Sequence, residues 1–150
     1  MKKPKMKKIL VFGTFDDLHS GHLNFLEQAK KYGDHLITVV SRDSTVKRIK
    51  GCRPFNSERK RLKEVRKCGL VNEAVFGHKD DRYKIIKEIN PDVICLGYDQ
   101  KPSINYLAKK LKAMNLKIEI YRMKPYRPEK FHSSIIKSHK KNNGRKANFD

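Results

Sequence analysis

Short apolar runs alternate along this chain with longer stretches of helical periodicity. Ile9-Leu10-Val11-Phe12 ends at Gly13, Leu36-Ile37-Thr38-Val39-Val40 follows, and Val93-Ile94-Cys95-Leu96 ends at Gly97. Ala74-Val75-Phe76 is a weaker run, and Leu116-Lys117-Ile118-Glu119-Ile120 alternates as an edge strand does. Runs that are apolar at every position read as strands buried on both faces. Between them lie amphipathic segments. His22, Phe25, Leu26 and Ala29 share one helical face after Gly21. Ser57 caps a helix to about Lys67, with Leu62 and Val65 inward. Asp80 or Asp81 caps another, with Ile85, Ile86 and Ile89 inward and Asn90-Pro91 as the stop. Pro102 suits the first turn of a helix whose stripe is Ile104, Leu107, Ala108 and Leu111. The pattern predicts an α/β domain: a Rossmann-like, five-stranded, mainly parallel sheet with helices on both faces.

The chain has 150 residues, the size of one domain. Residues 1–7 read as a basic, disordered lead-in, 8–138 as the domain, and 139–150 as a solvated basic tail. No apolar run approaches the twenty or so residues of a membrane span, and no h-region follows the basic start, so neither a span nor a secretory signal is expected. Three cysteines, Cys52, Cys68 and Cys95, show no CxxC or Cys/His ligand spacing. They suggest a reducing, cytoplasmic setting, with Cys95 a small core residue. There are 36 Lys and Arg against 16 Asp and Glu, a net charge of +20. Such a balance suits a polyanionic ligand: a nucleotide, a phosphorylated metabolite or a nucleic acid. It equally suits a merely soluble Lys-rich surface.

In open parallel sheets ligands gather at the carboxyl ends of the strands. The loop after the first strand reads Gly13-Thr14-Phe15-Asp16-Asp17-Leu18-His19-Ser20-Gly21-His22. Gly13 lets the chain leave the strand sharply. Gly21 opens a helix whose first N–H groups form an anion site. His19 and His22 flank that start, so both imidazoles can face one phosphate and stabilise charge developing on it. There is no GxGxxG and no GxxxxGK[ST], so neither a dinucleotide fingerprint nor a P-loop is present. Two histidines alone could be a metal fragment or surface chance. Their coincidence with a strand end, two glycines and a helix start favours the phosphate reading.

Gly-Thr-Phe-Asp at 13–16, followed by His19-Ser20-Gly21-His22, resembles the signature of the cytidylyltransferase-like nucleotidyltransferases. The likeness runs from about residue 8 to 138. It implies transfer of a nucleotidyl group to a phosphorylated acceptor with release of pyrophosphate. It assigns catalysis to His19, His22 and Lys47, and nucleotide binding to Thr14, Phe15, Ser20, Gly21, Asp99, Tyr126, Ser133 and Ser134 besides the histidines. Arg61 matches an Arg that would meet phosphate. Gly97-Tyr98-Asp99-Gln100, Lys124-Pro125-Tyr126 and Phe131-His132-Ser133-Ser134 are similar to the archaeal-type FAD synthases, which implies ATP and FMN as partners. The alternative is CTP with glycerol 3-phosphate, although those cytidylyltransferases tend to carry Trp where Gln100 stands.

A phosphate dianion is already a nucleophile, so in-line attack needs no covalent intermediate. Positioning and charge stabilisation do the rest. The resemblance implies a divalent cation, Mg²⁺, on phosphate oxygens, with no dedicated protein metal motif. A nucleic-acid-binding module is disfavoured by the lack of a stacking-aromatic motif. A sensor without turnover is disfavoured by the presence of both histidines. A homodimer is compatible with all of this.

Overall fold

The computed structural model describes residues 6–126. Ser133, Ser134, the tail 139–150 and most of the expected lead-in lie outside the described residues. Strands β1 (Lys8–Gly13), β2 (His35–Val40), β3 (Glu73–Phe76), β4 (Val93–Leu96) and β5 (Glu119–Arg122) form one sheet in the order β3-β2-β1-β4-β5. Every pairing is parallel, so the sheet is wholly rather than mainly parallel. Helices α1 (Ser20–Lys30), α2 (Asp43–Lys50), α3 (Glu58–Lys67), α4 (Arg82–Ile89) and α5 (Ile104–Ala113) connect the strands.

Alternate residues of β1 feed two cores. Ile9 and Val11 pack with Leu26 and Ala29 of α1 and Leu62 and Val65 of α3. Leu10 packs on the opposite face with Ile85 and Ile86 of α4 and Leu107 and Leu111 of α5. The fully apolar strand runs are thus explained by burial on both sides. Cys95 lies wholly buried in the first core, and burial pushes its thiol up to about 12. None of the three cysteines forms a disulfide.

Local differences from the sequence reading have plain causes. Residues 43–50 form α2, a helix that the strongly basic run hid because Val46 is its one buried side chain. Pro102 precedes the cap instead of sitting in the first turn: Ser103 takes the N-cap and accepts from the Tyr106 N–H. Ala108 is exposed. Asp81 is the cap of α4. The last strand begins at Glu119, three residues after the expected start.

The two helices after β2 cap each other. The Asp43 N–H donates to Glu58 Oε1 at 2.8 Å, and the Glu58 N–H donates to Asp43 Oδ2 at 3.2 Å. Each carboxylate satisfies an otherwise unpaired N–H at the other helix's start. Arg42 also pairs with Glu58, at 3.1 Å. Partial burial pushes the Glu58 carboxyl up, but the Asp43 N–H and the Arg42 guanidinium together outweigh it and hold the group below its ordinary 4.5. The lowered folded value means Glu58 stabilises the fold above the ordinary carboxylate range, and that contribution fades as pH falls through the folded value. Glu58→Gln is expected to cost about 1.5–3 kcal/mol at pH 7. It should also flatten the loss of stability on acidification, read by urea unfolding from pH 7 to pH 3. An unchanged acid limb would remove this pairing as its source.

Candidate active site

The chain runs outward from β1 through β2 to β3, then crosses to the other side of β1 for β4 and β5. That reversal opens a crevice at the carboxyl ends of β1 and β4. The two strands pair only at Ile9–Val93 and Leu10–Ile94, whereas β1 and β2 pair along their full length. Gln100 bridges the gap above. Its Oε1 accepts the Gly97 N–H at 2.7 Å, and its Nε2 donates to the Phe12 carbonyl at 2.8 Å. Arg122 supports the same loop from β5 by donating to the Gly97 and Gln100 carbonyls, both at 2.8 Å. Asp99 is therefore presented on a well-supported turn at the crevice.

The β1–α1 loop packs back on itself. Phe15 is buried with φ 52° and Asp17 has φ 65°, both left-handed. Such geometry costs a non-glycine residue roughly 1–2 kcal/mol, so the surroundings must hold it. Gly13 makes it sterically feasible: a Cβ there would lie 2.5 Å from the Phe15 ring. The folded ring meets His22, with centroids 5.5 Å apart.

His19 is the N-cap of α1, and its Nδ1 accepts the Gly21 N–H at 3.0 Å. His22, only 3% exposed, accepts the His19 N–H on its own Nδ1 at 3.3 Å. The two form a capping box made of imidazoles, with ring centroids 3.9 Å apart. A ring nitrogen that accepts a backbone N–H carries no proton. These bonds therefore assign the proton of each neutral ring to Nε2, the donor an anion needs. Gly21 lets the first ring lie close to the helix, since a Cβ there would come within 2.9 Å of His19 Cε1.

Thr14, Phe15, Ser20, Gly21 and the two histidines are thus brought to one helix start. Lys47 is not among them. It is exposed on α2, in a neighbouring groove lined by Asp43, Ser44, Arg48, Arg53, Glu58 and Lys79. Tyr126 is exposed beyond β5, just past the point where Gln28 of α1 exchanges hydrogen bonds with the Lys124 backbone.

Arg61 departs from the expected phosphate contact. It is 1% exposed, and its guanidinium donates to the Asn56 carbonyl at 3.1 Å, the Thr14 carbonyl at 2.8 Å and Asp43 at 2.7 Å. Its donors face protein and tie the β1–α1 loop to α2 and α3. The burial follows from its place on the inward face of α3 beside Leu62 and Val65.

Asp16 has a role that the motif alone did not reveal. Its carboxylate accepts the Phe55 N–H at 2.6 Å and the Asn56 N–H at 2.9 Å. It also takes the Asn56 side-chain amide at 3.1 Å. The segment between α2 and α3 is thereby clamped onto the β1–α1 loop. The sequence held only one hint, an acidic residue directly after the strand-end Gly-Thr-Phe.

The parallel sheet and the histidine-capped helix start over its crevice match those of a nucleotidyltransferase. The chain belongs to the cytidylyltransferase-like family, whose model matches residues 10–139. It is 42% identical over 121 residues to the FAD synthase of Aciduliprofundum boonei, covering 81% of this chain and 80% of that one. It is 38% identical over 141 residues to the FAD synthase of Thermococcus sibiricus, covering 93% of each chain. Among solved structures, the lipopolysaccharide core biosynthesis protein of Thermoplasma volcanium superposes with a TM-score of 0.80 at 38% identity. That match covers 82% of this chain and all of that one. Among the described residues no helix is long and apolar enough to cross a membrane.

Proposed function

We propose that this enzyme transfers AMP from ATP to FMN, giving FAD and pyrophosphate. The observation that carries the choice of substrates is its similarity, over most of its length, to the two FAD synthases named above. These relatives do not favour the alternative of CTP and glycerol 3-phosphate.

The FMN phosphate attacks the α-phosphorus of ATP in line, the new P–O bond forms, and the bond to pyrophosphate breaks. The Nε2–H groups of His19 and His22 stabilise the negative charge that grows on the transferred phosphoryl oxygens. The α1 start, Ser20 and Gly21 included, adds its N–H groups and dipole. Thr14 and Phe15 supply backbone along the nucleotide. Asp99, on the turn braced by Gln100 and Arg122, and Tyr126 recognise its nucleoside. Lys47, with Ser133 and Ser134 from the last motif, holds the departing pyrophosphate. Among the described residues no three His, Cys, Asp or Glu side chains form a metal-binding group. A Mg²⁺ ion bound with the nucleotide would supply neutralising charge at its phosphates.

Pyrophosphate release measured with ATP or CTP, each paired with FMN or glycerol 3-phosphate, tests the reading. Turnover is expected with ATP and FMN. Turnover with CTP and glycerol 3-phosphate, and none with ATP and FMN, would overturn it.

A further inference from the structure

Phe55 is 92% exposed, more than any other large hydrophobic residue among those described. A single exposed Phe is ordinary on a loose surface. This one is not on a loose surface. Asp16 accepts its N–H at 2.6 Å and the next N–H at 2.9 Å. Arg61, fully buried, donates to the Asn56 carbonyl on one side and the Thr14 carbonyl on the other. The backbone carrying the ring is therefore fixed to the same loop that positions the histidines, while the ring itself stands in solvent.

Charge on its chain neighbours points the same way. Arg53 and Glu58, which bracket Phe55 in the chain, line one groove with Asp43, Ser44, Lys47, Arg48 and Lys79. Its two carboxylates are already matched, Asp43 by Arg61 and Glu58 by Arg42. The four cations Lys47, Arg48, Arg53 and Lys79 leave the groove positive. It lies on the β2 side of β1, and the Asp99 turn lies on the β4 side. A rigid exposed aromatic two residues from Arg53, which lines a cationic groove, suits a ligand that is both planar and anionic.

Resting on the reading of FMN as acceptor, we infer that Phe55 is the platform for the isoalloxazine ring. The phosphate end then points inward to the histidines, and the tricyclic ring stacks outward on Phe55. Lost stacking of one ring on an aromatic side chain weakens binding by about tenfold.

The test compares wild type, Phe55→Ala and Phe55→Trp in FAD synthesis and in quenching of FMN fluorescence on titration with protein. Phe55→Ala is expected to raise the KM for FMN about tenfold and reduce the quench, with the KM for ATP and the thermal midpoint unchanged. Phe55→Trp should restore both FMN readouts. Wild-type FMN affinity and quench in Phe55→Ala would overturn the inference alone. A wild-type enzyme that makes no FAD from ATP and FMN would overturn the proposed function and this inference together.

Discussion

Replacing His22 with alanine is expected to lower kcat by roughly 10²–10³, about 3–4 kcal/mol of transition-state stabilisation. The KM values should change much less, because the charge met by Nε2 develops only during attack. The side chain is buried and accepts the His19 N–H, so the substitution also loosens the capping box. His22→Asn separates the two effects. Its side-chain oxygen can accept the same N–H, but no imidazole donor remains. Steady-state kinetics on both variants, with thermal unfolding alongside, should show a stable Asn variant that is still slow. Full activity in either variant would remove His22 from the chemistry.

Arg61→Ala should have the largest effect on stability, a loss of about 3–5 kcal/mol. Three acceptors each lose a bond at once, and one of them is the Asp43 carboxylate, which is left with the Glu58 N–H. A domain is typically stable by only 5–15 kcal/mol, so the loss is a large share of the total. Arg61→Lys should recover little, since one ammonium cannot reach three acceptors arranged around a planar fork. Urea unfolding decides the matter. Were the guanidinium a phosphate ligand instead, the alanine variant would keep its stability and raise the KM for ATP.

Both effects depend on geometry that the sequence disclosed unevenly. The parallel sheet was legible because strands buried on both faces must be largely apolar, as Val93–Leu96 is. The histidine-capped helix start was legible because spacing three apart places His19 and His22 around one turn. Arg61 was not. A cation in a basic helix looks solvated, and only the tertiary meeting of Thr14, Asp43 and Asn56 makes it an interior residue. Asp16 and Gln100 escaped for a related reason: their hydrogen bonds join segments 40 and 88 residues apart. No local pattern encodes such pairings. Lys47 was assigned to phosphate by resemblance alone, and its seat in a groove with Arg53, Glu58 and Lys79 depends on segments distant in the chain.

The link between Gln28 and Lys124 bears on how the chain beyond the sheet is used. A glutamine amide here imitates a strand neighbour, accepting from the Lys124 N–H and donating to its carbonyl. The anchor is on α1, the helix that carries His22. Tyr126 follows only two residues later, which limits its travel from the anchor to about 7 Å. A short tether of this kind raises the effective concentration of a side chain at its target without any added affinity. On the role proposed for Tyr126, Gln28 would contribute to nucleotide capture by confining the volume that Tyr126 searches, without touching the nucleotide itself.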